Sequence, residues 1–143
     1  RHNASFRDVY AYDTSTPTER FYSNVPAELK DLIHYQQKRI ASNKEEQSTE
    51  SPFIPDLVKG LANNDDFVVF KLDIDSGSVE KGSIEYILND SSNMIDELFW
   101  EHHIRGNYLM PQWGDNVEET SLLSSYELFL QLRLRGIRAH SWV

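Results

Sequence analysis

Two apolar runs in this chain end in residues that can titrate or hold a metal ion. The first, Asp66-Phe67-Val68-Val69-Phe70-Lys71-Leu72-Asp73-Ile74-Asp75, closes on two carboxylates, and the second, Leu98-Phe99-Trp100-Glu101-His102-His103, closes on a glutamate and two histidines. A third segment, Gly136-Ile137-Arg138-Ala139-His140-Ser141-Trp142-Val143, carries another imidazole. Neighbouring strands lie about 4.8 Å apart, so strands side by side would bring such tips to a common point. Alternation along a strand places Asp73 with Asp75 and Glu101 with His103. An oxygen-rich group with one imidazole suits a divalent metal, which can orient a hydroxylated substrate and lower the pKa of its oxygen. Asp73, Asp75, Glu101 and His103 are therefore the candidate metal ligands. Glu101 and His140 are the candidates for catalytic proton transfer, with His140 alternatively a further ligand. The competing reading is structural: carboxylates at strand ends cap the next helix or pair with a lysine, and Lys71 is at hand. His2 and His34 read as surface residues.

Buried parallel strands are the elements that would deliver these groups, because strands covered on both faces read as continuous apolar runs. Open α/β sheets bind ligands beyond the carboxyl ends of their strands. Earlier in the chain, Phe6 to Tyr12 is rich in β-formers and meets Asp13-Thr14-Ser15-Thr16-Pro17, so a strand is expected to end at Asp13. Pro26 can open a short helix, and His34 to Ile40 fits helix or strand. Ser42 to Ser51 has no apolar residue and reads as a solvated connector. Phe53, Ile54, Leu57, Val58 and Leu61 fall at helical spacing, and Ser78 can cap a helix facing inward through Ile84, Ile87 and Leu88. Gly82 would weaken that helix by roughly 1 kcal/mol relative to alanine. Residues 104–120 show no period and read as a long connection, in which Tyr108, Met110 and Trp113 could cover substrate. Leu122, Tyr126, Phe129 and Leu130 mark a last helix, with Gly136 just beyond its end. The alternation of strands with helix-length crossovers predicts an α/β fold with a mostly parallel sheet flanked by helices.

At 143 residues the chain suits one domain able to bury a sizeable core, and its 39% hydrophobic and 26% charged residues are the composition of a globular protein. No apolar stretch is long enough to span a bilayer. A formal charge of −9 repels phosphate backbones, and the basic clusters at Lys38-Arg39 and Arg133/Arg135/Arg138 are too small to reverse that field, so no nucleic-acid partner is expected. The absence of cysteine excludes disulfides, thiolate zinc sites and a cysteine nucleophile.

Taken together, Val9-Tyr10-Ala11-Tyr12-Asp13, Phe70-Lys71-Leu72-Asp73-Ile74-Asp75, Glu80 and Glu101-His102-His103 resemble the FkbM-type class I methyltransferases, which use S-adenosylmethionine. The resemblance spans nearly the whole chain. It implies a partial Rossmann-like fold in which Asp13 ends the strand that holds the cofactor's ribose. It further implies that Asp73 belongs to the cofactor's surroundings, on a strand carrying a Lys-x-Asp-x-acid signature, and that Glu101 ends the next strand. A subgroup with Lys-x-Asp-Ile-Asp, Glu-His-His and a terminal His-Ser-Trp is closer still. The family's glycine-rich turn has no counterpart before Asp13, none of the six glycines lies in such a loop, and Asp73-Ile74-Asp75-Ser76-Gly77 stands where the family has Asp-x-Glu-Gly. The chain, which starts at Arg1, is thus expected to be one α/β domain over residues 1–143 lacking its N-terminal part. The implied activity is methyl transfer to an oxygen of a small molecule or glycan, with S-adenosylmethionine held only with an upstream segment. The alternative is a non-catalytic methyltransferase-like subunit with protein partners.

Overall fold

A computed structural model of the chain describes residues 5–104 and 121–141. The architecture is mixed α/β: small parallel sheets flanked by helices. Strand β1 (Val9–Asp13) pairs with β2 (Ile33–Gln37), and β3 (Val69–Leu72), β4 (Glu97–Trp100) and β5 (Arg138–Ser141) form a second sheet in that order, every pairing parallel. The single sheet expected from the alternation of elements is therefore two sheets among the described residues. No helix in them is long and apolar enough to cross a membrane.

In the first sheet, Asp13 ends β1 by folding its carboxylate onto the following turn: Oδ1 accepts from the Ser15 amide (2.7 Å) and hydroxyl (2.9 Å) and from the Thr16 amide (3.4 Å). That is an Asx turn, in which a short side chain takes over backbone hydrogen bonding. Pro17 then precedes the short helix α1 (Thr18–Ser23), whose Phe21 stacks on Tyr35 of β2 with ring centroids 3.9 Å apart. The segment begun by Pro26 is a 3-10 turn, Ala27–Leu32, and the ambiguous stretch after it is strand β2.

The connector reaches α2 (Ile54–Leu61), which carries Pro55 in its first turn where a missing N–H costs nothing. Fully buried Phe53 meets Tyr86 of α3 (Gly77–Asn89) edge to face, and the Tyr86 hydroxyl donates to Asp56 at 2.6 Å while accepting from Lys59 at 3.0 Å. These contacts lock α2 against α3. The cap of α3 is Ser76, two residues before the serine expected from sequence.

Exposure alternates along β3 and β4, with Phe70, Leu72, Leu98 and Trp100 buried and Val69 and Lys71 exposed, so this sheet has one covered face rather than two. The covered face packs on Ile84 and Ile87 of α3 and on Phe129 and Leu132 of α4 (Leu122–Leu134). Helix α4 is closed at both ends: Ser121 and Ser124 exchange a capping box, and the amides of Gly136 and Ile137 bond the carbonyls of Arg133 and Leu132. That double bond pattern is the Schellman turn, which needs a left-handed residue, and Gly136 adopts φ +88°.

Candidate functional site

The carboxyl ends of both sheets open on one cavity of about 550 Å³, whose lining includes Asp13, Lys38, Arg39, Asp73, Asp75 and Ser76. Beside it, the residues that follow β3 and β4 form an acidic cluster around one imidazole. Asp73 is bridged by the Lys71 ammonium at 2.6 Å and accepts a hydrogen bond from the Glu101 carboxyl. That shared proton, reinforced by burial and by the Asp73 charge, pushes Glu101 up to about 7, while Asp73 is lowered by the same bond and by Lys71. His103 turns toward Glu101, with Nε2 3.8 Å from its Oε2, and toward Asp75, with Nε2 3.5 Å from Oδ1. Asp75 reaches this position with φ +55°, a left-handed conformation that aspartate tolerates better than most residues.

Strand alternation ends at Leu72, so grouping follows the tips rather than parity. Asp73 joins Glu101 across the two strands, and Asp75, Glu101 and His103 converge with one ligand atom each within 4.8 Å. Glu101 and His103 are brought together as alternation predicts. His102 points the other way, stacked on Trp100 at 3.8 Å and bonded through Nδ1 to the Ser125 hydroxyl at 2.9 Å, and its burial pushes it down to about 4.

His140 is not brought into this group. Its ring stacks on Phe99 and its Nε2 lies 2.8 Å from Glu97 at the start of β4. Four residues of strand, about 13 Å at 3.3 Å each, separate Glu97 from Glu101, so neither a ligand nor a proton-transfer role at the tip follows from this placement. Asp13 lines the same cavity as Asp73 and Asp75, its Oδ1 committed to its own turn and its pKa held at about 2 by its turn's hydrogen bonds. Tyr108, Met110 and Trp113 lie outside the described residues.

Glu80 is the component to which sequence reasoning gave no role. It lies in the first turn of α3, only 3% exposed, where Oε2 accepts from the Trp100 indole at 3.3 Å and Oε1 lies 3.9 Å from His103 Nδ1. Burial raises its pKa. A signal for it exists: Glu80 precedes Ile84 and Ile87 by four and seven residues, the spacing of one helix face, so a carboxylate had to lie within the apolar stripe.

No protein-family model, curated protein or solved structure matches the chain.

Proposed function

We propose that the chain forms the later part of an S-adenosylmethionine-dependent, FkbM-like methyltransferase with a partial Rossmann-like fold, acting on an oxygen of a small molecule or glycan. The observation that carries this reading is that Asp13, from one parallel sheet, and Asp73, from the other, line a single cavity at the strands' carboxyl ends. Ligands of open parallel sheets bind there. Both signs of charge are present, with Lys38 and Arg39 sharing the lining with three aspartates, which suits a zwitterion better than a simple anion.

S-adenosylmethionine, when bound, supplies an electrophilic methyl group. Asp13, at the end of its strand on the cavity wall, would meet a ribose hydroxyl, while its turn holds Oδ1 through three bonds and so fixes the carboxylate's orientation. Lys38 or Arg39 would meet a carboxylate. Glu101, raised to about 7 beside Asp73, would in its carboxylate form take the proton an acceptor hydroxyl loses. The reading requires a glycine-rich turn that the described residues do not contain.

The test is thermal denaturation of the full-length gene product, including any residues encoded ahead of Arg1, with and without S-adenosylmethionine. A ligand that binds only the native state raises the melting temperature as its concentration grows. The expected result is such a rise, reduced in Asp13→Ala. A folded full-length protein whose transition ignores the ligand overturns the proposal and favours a non-catalytic subunit.

A further inference from the structure

We infer that Asp75, Glu101 and His103 bind one divalent transition-metal cation, with Glu80 fixing the imidazole from its far side. This rests on the geometry of the cluster and not on the methyl-transfer reading, so it stands or falls separately.

Distances come first. Asp75 Oδ1 and Glu101 Oε2 lie 3.5 and 3.8 Å from the same nitrogen, His103 Nε2. A carboxylate clasping an imidazolium directly sits at about 2.7–2.9 Å. Two ligands on a common ion with bonds of about 2.1 Å sit about 3.0 Å apart in octahedral and about 3.4 Å apart in tetrahedral geometry. The observed spacings are wider than a direct ion pair, within about 0.4 Å of the tetrahedral value and about 0.8 Å of the octahedral one. Small rotations of Asp75, whose side chain is 78% exposed, would close the difference.

The second observation is independent of the three ligands. Glu80 is almost wholly buried, its Oε1 accepts no hydrogen bond among the described residues, and that oxygen lies 3.9 Å from His103 Nδ1. A buried carboxylate oxygen without a donor is costly. Behind a metal-bound histidine, however, a carboxylate is the usual partner of the other ring nitrogen, fixing the tautomer and turning the metal-binding nitrogen outward. Here Nδ1 faces Glu80 while Nε2 faces Asp75 and Glu101. Trp100 holds Glu80 by its other oxygen, so the orienting group is anchored in the core.

The donor set, two carboxylates and one imidazole, selects a cation of intermediate hardness such as Mn²⁺ or Zn²⁺, with remaining positions open to water or a substrate oxygen. Asp73 lies outside the set, since it is not among the groups whose ligand atoms come within 4.8 Å of one another and the Lys71 ammonium bridges it at 2.6 Å.

The experiment titrates Mn²⁺ into the full chain and follows the free ion by electron paramagnetic resonance, with broadening of the His103 ring signals by NMR as the local readout. Wild type should take up one equivalent and lose the His103 resonances first. His103→Gln and Asp75→Asn should each weaken uptake at least tenfold, and Glu80→Gln by about tenfold or more. Glu28→Gln, which removes the same charge from an exposed turn, should leave uptake unchanged. Asn accepts the left-handed backbone at residue 75, so Asp75→Asn keeps the fold and the comparison interpretable. Equal uptake by His103→Gln, Asp75→Asn and wild type, or broadening spread over surface carboxylates, would mean an adventitious ion only and would overturn the inference.

Discussion

Asp13 shows how one side chain can serve a turn and a cavity at once. Its carboxylate is held at about 2, first by the Ser15 amide and then by the Thr16 and Ser15 side chains, against an ordinary value of 3.8. A group whose folded pKa is depressed contributes stability above its unfolded value and loses it as pH falls through the folded one. Asp13→Asn should therefore narrow the stability gap to wild type as pH is lowered from about 4 to about 2, the window set by that shift. Urea unfolding at stepped pH would show it, and a gap that stays constant across the window would mean the turn does not depend on the charge. Glu80 behaves in the opposite sense: burial raises it, and folding pays that desolvation where the unfolded chain does not.

At the scale of elements, Gly82 reverses its expected role. Mid-helix glycine ordinarily lowers stability by about 1 kcal/mol relative to alanine. In α3 the Ser42 carbonyl of the connector occupies the place a Cβ would take, so glycine is what lets that loop lie on the helix. Gly82→Ala should lose about 1–3 kcal/mol to overpacking despite the better propensity, as measured by urea denaturation. A stabilised variant would show that the connector moves aside freely. The same contact marks the limit of what sequence made legible. The last helix is where sequence places it, but of the residues that mark it only Phe129 is buried, Leu122, Tyr126 and Leu130 being exposed. Asp13 as a strand end, the helix over Ile54–Leu61, and Gly136 beyond Leu122–Leu134 announce themselves through local chemistry: a turn-forming acid, a 3.6-residue apolar period, a residue able to take positive φ. Gly82 does not, because its reason lies in a backbone atom forty positions earlier. The left-handed Asp75 is similarly silent, and it is what regroups the tip carboxylates away from simple alternation. The one-sided burial of β3 was masked because Val68, Val69 and Phe67 are apolar whether covered or not.

Across the molecule, the two sheets are tied at the end opposite the cavity by Arg7, ahead of β1, which forks onto Asp66, ahead of β3, at 2.7 and 3.1 Å. A fork of this kind has geometric specificity, yet Arg7 is exposed and Asp66 only half-buried, so solvent and salt screen the pair. Arg7→Gln should lower the melting temperature in dilute buffer, and the difference should vanish in about 1 M salt, where the screening length falls to about 3 Å. An identical difference at both ionic strengths would assign the effect to side-chain packing instead.

The pairings Val9↔Ile33, Val69↔Glu97 and Glu97↔Arg138 join strands that run the same way, so each ladder must close a long excursion of chain before its first hydrogen bond forms. No hairpin among the described strands offers a local place to start, and loop entropy is spent before non-local contacts reward it. Helices α3 and α4, thirteen residues each and the latter closed by its capping box and Schellman turn, are the segments able to order early. The newborn chain is thus left with unmatched β-edges for longer than a hairpin-built domain of equal size, and its refolding yield should depend on concentration more than its final stability would suggest.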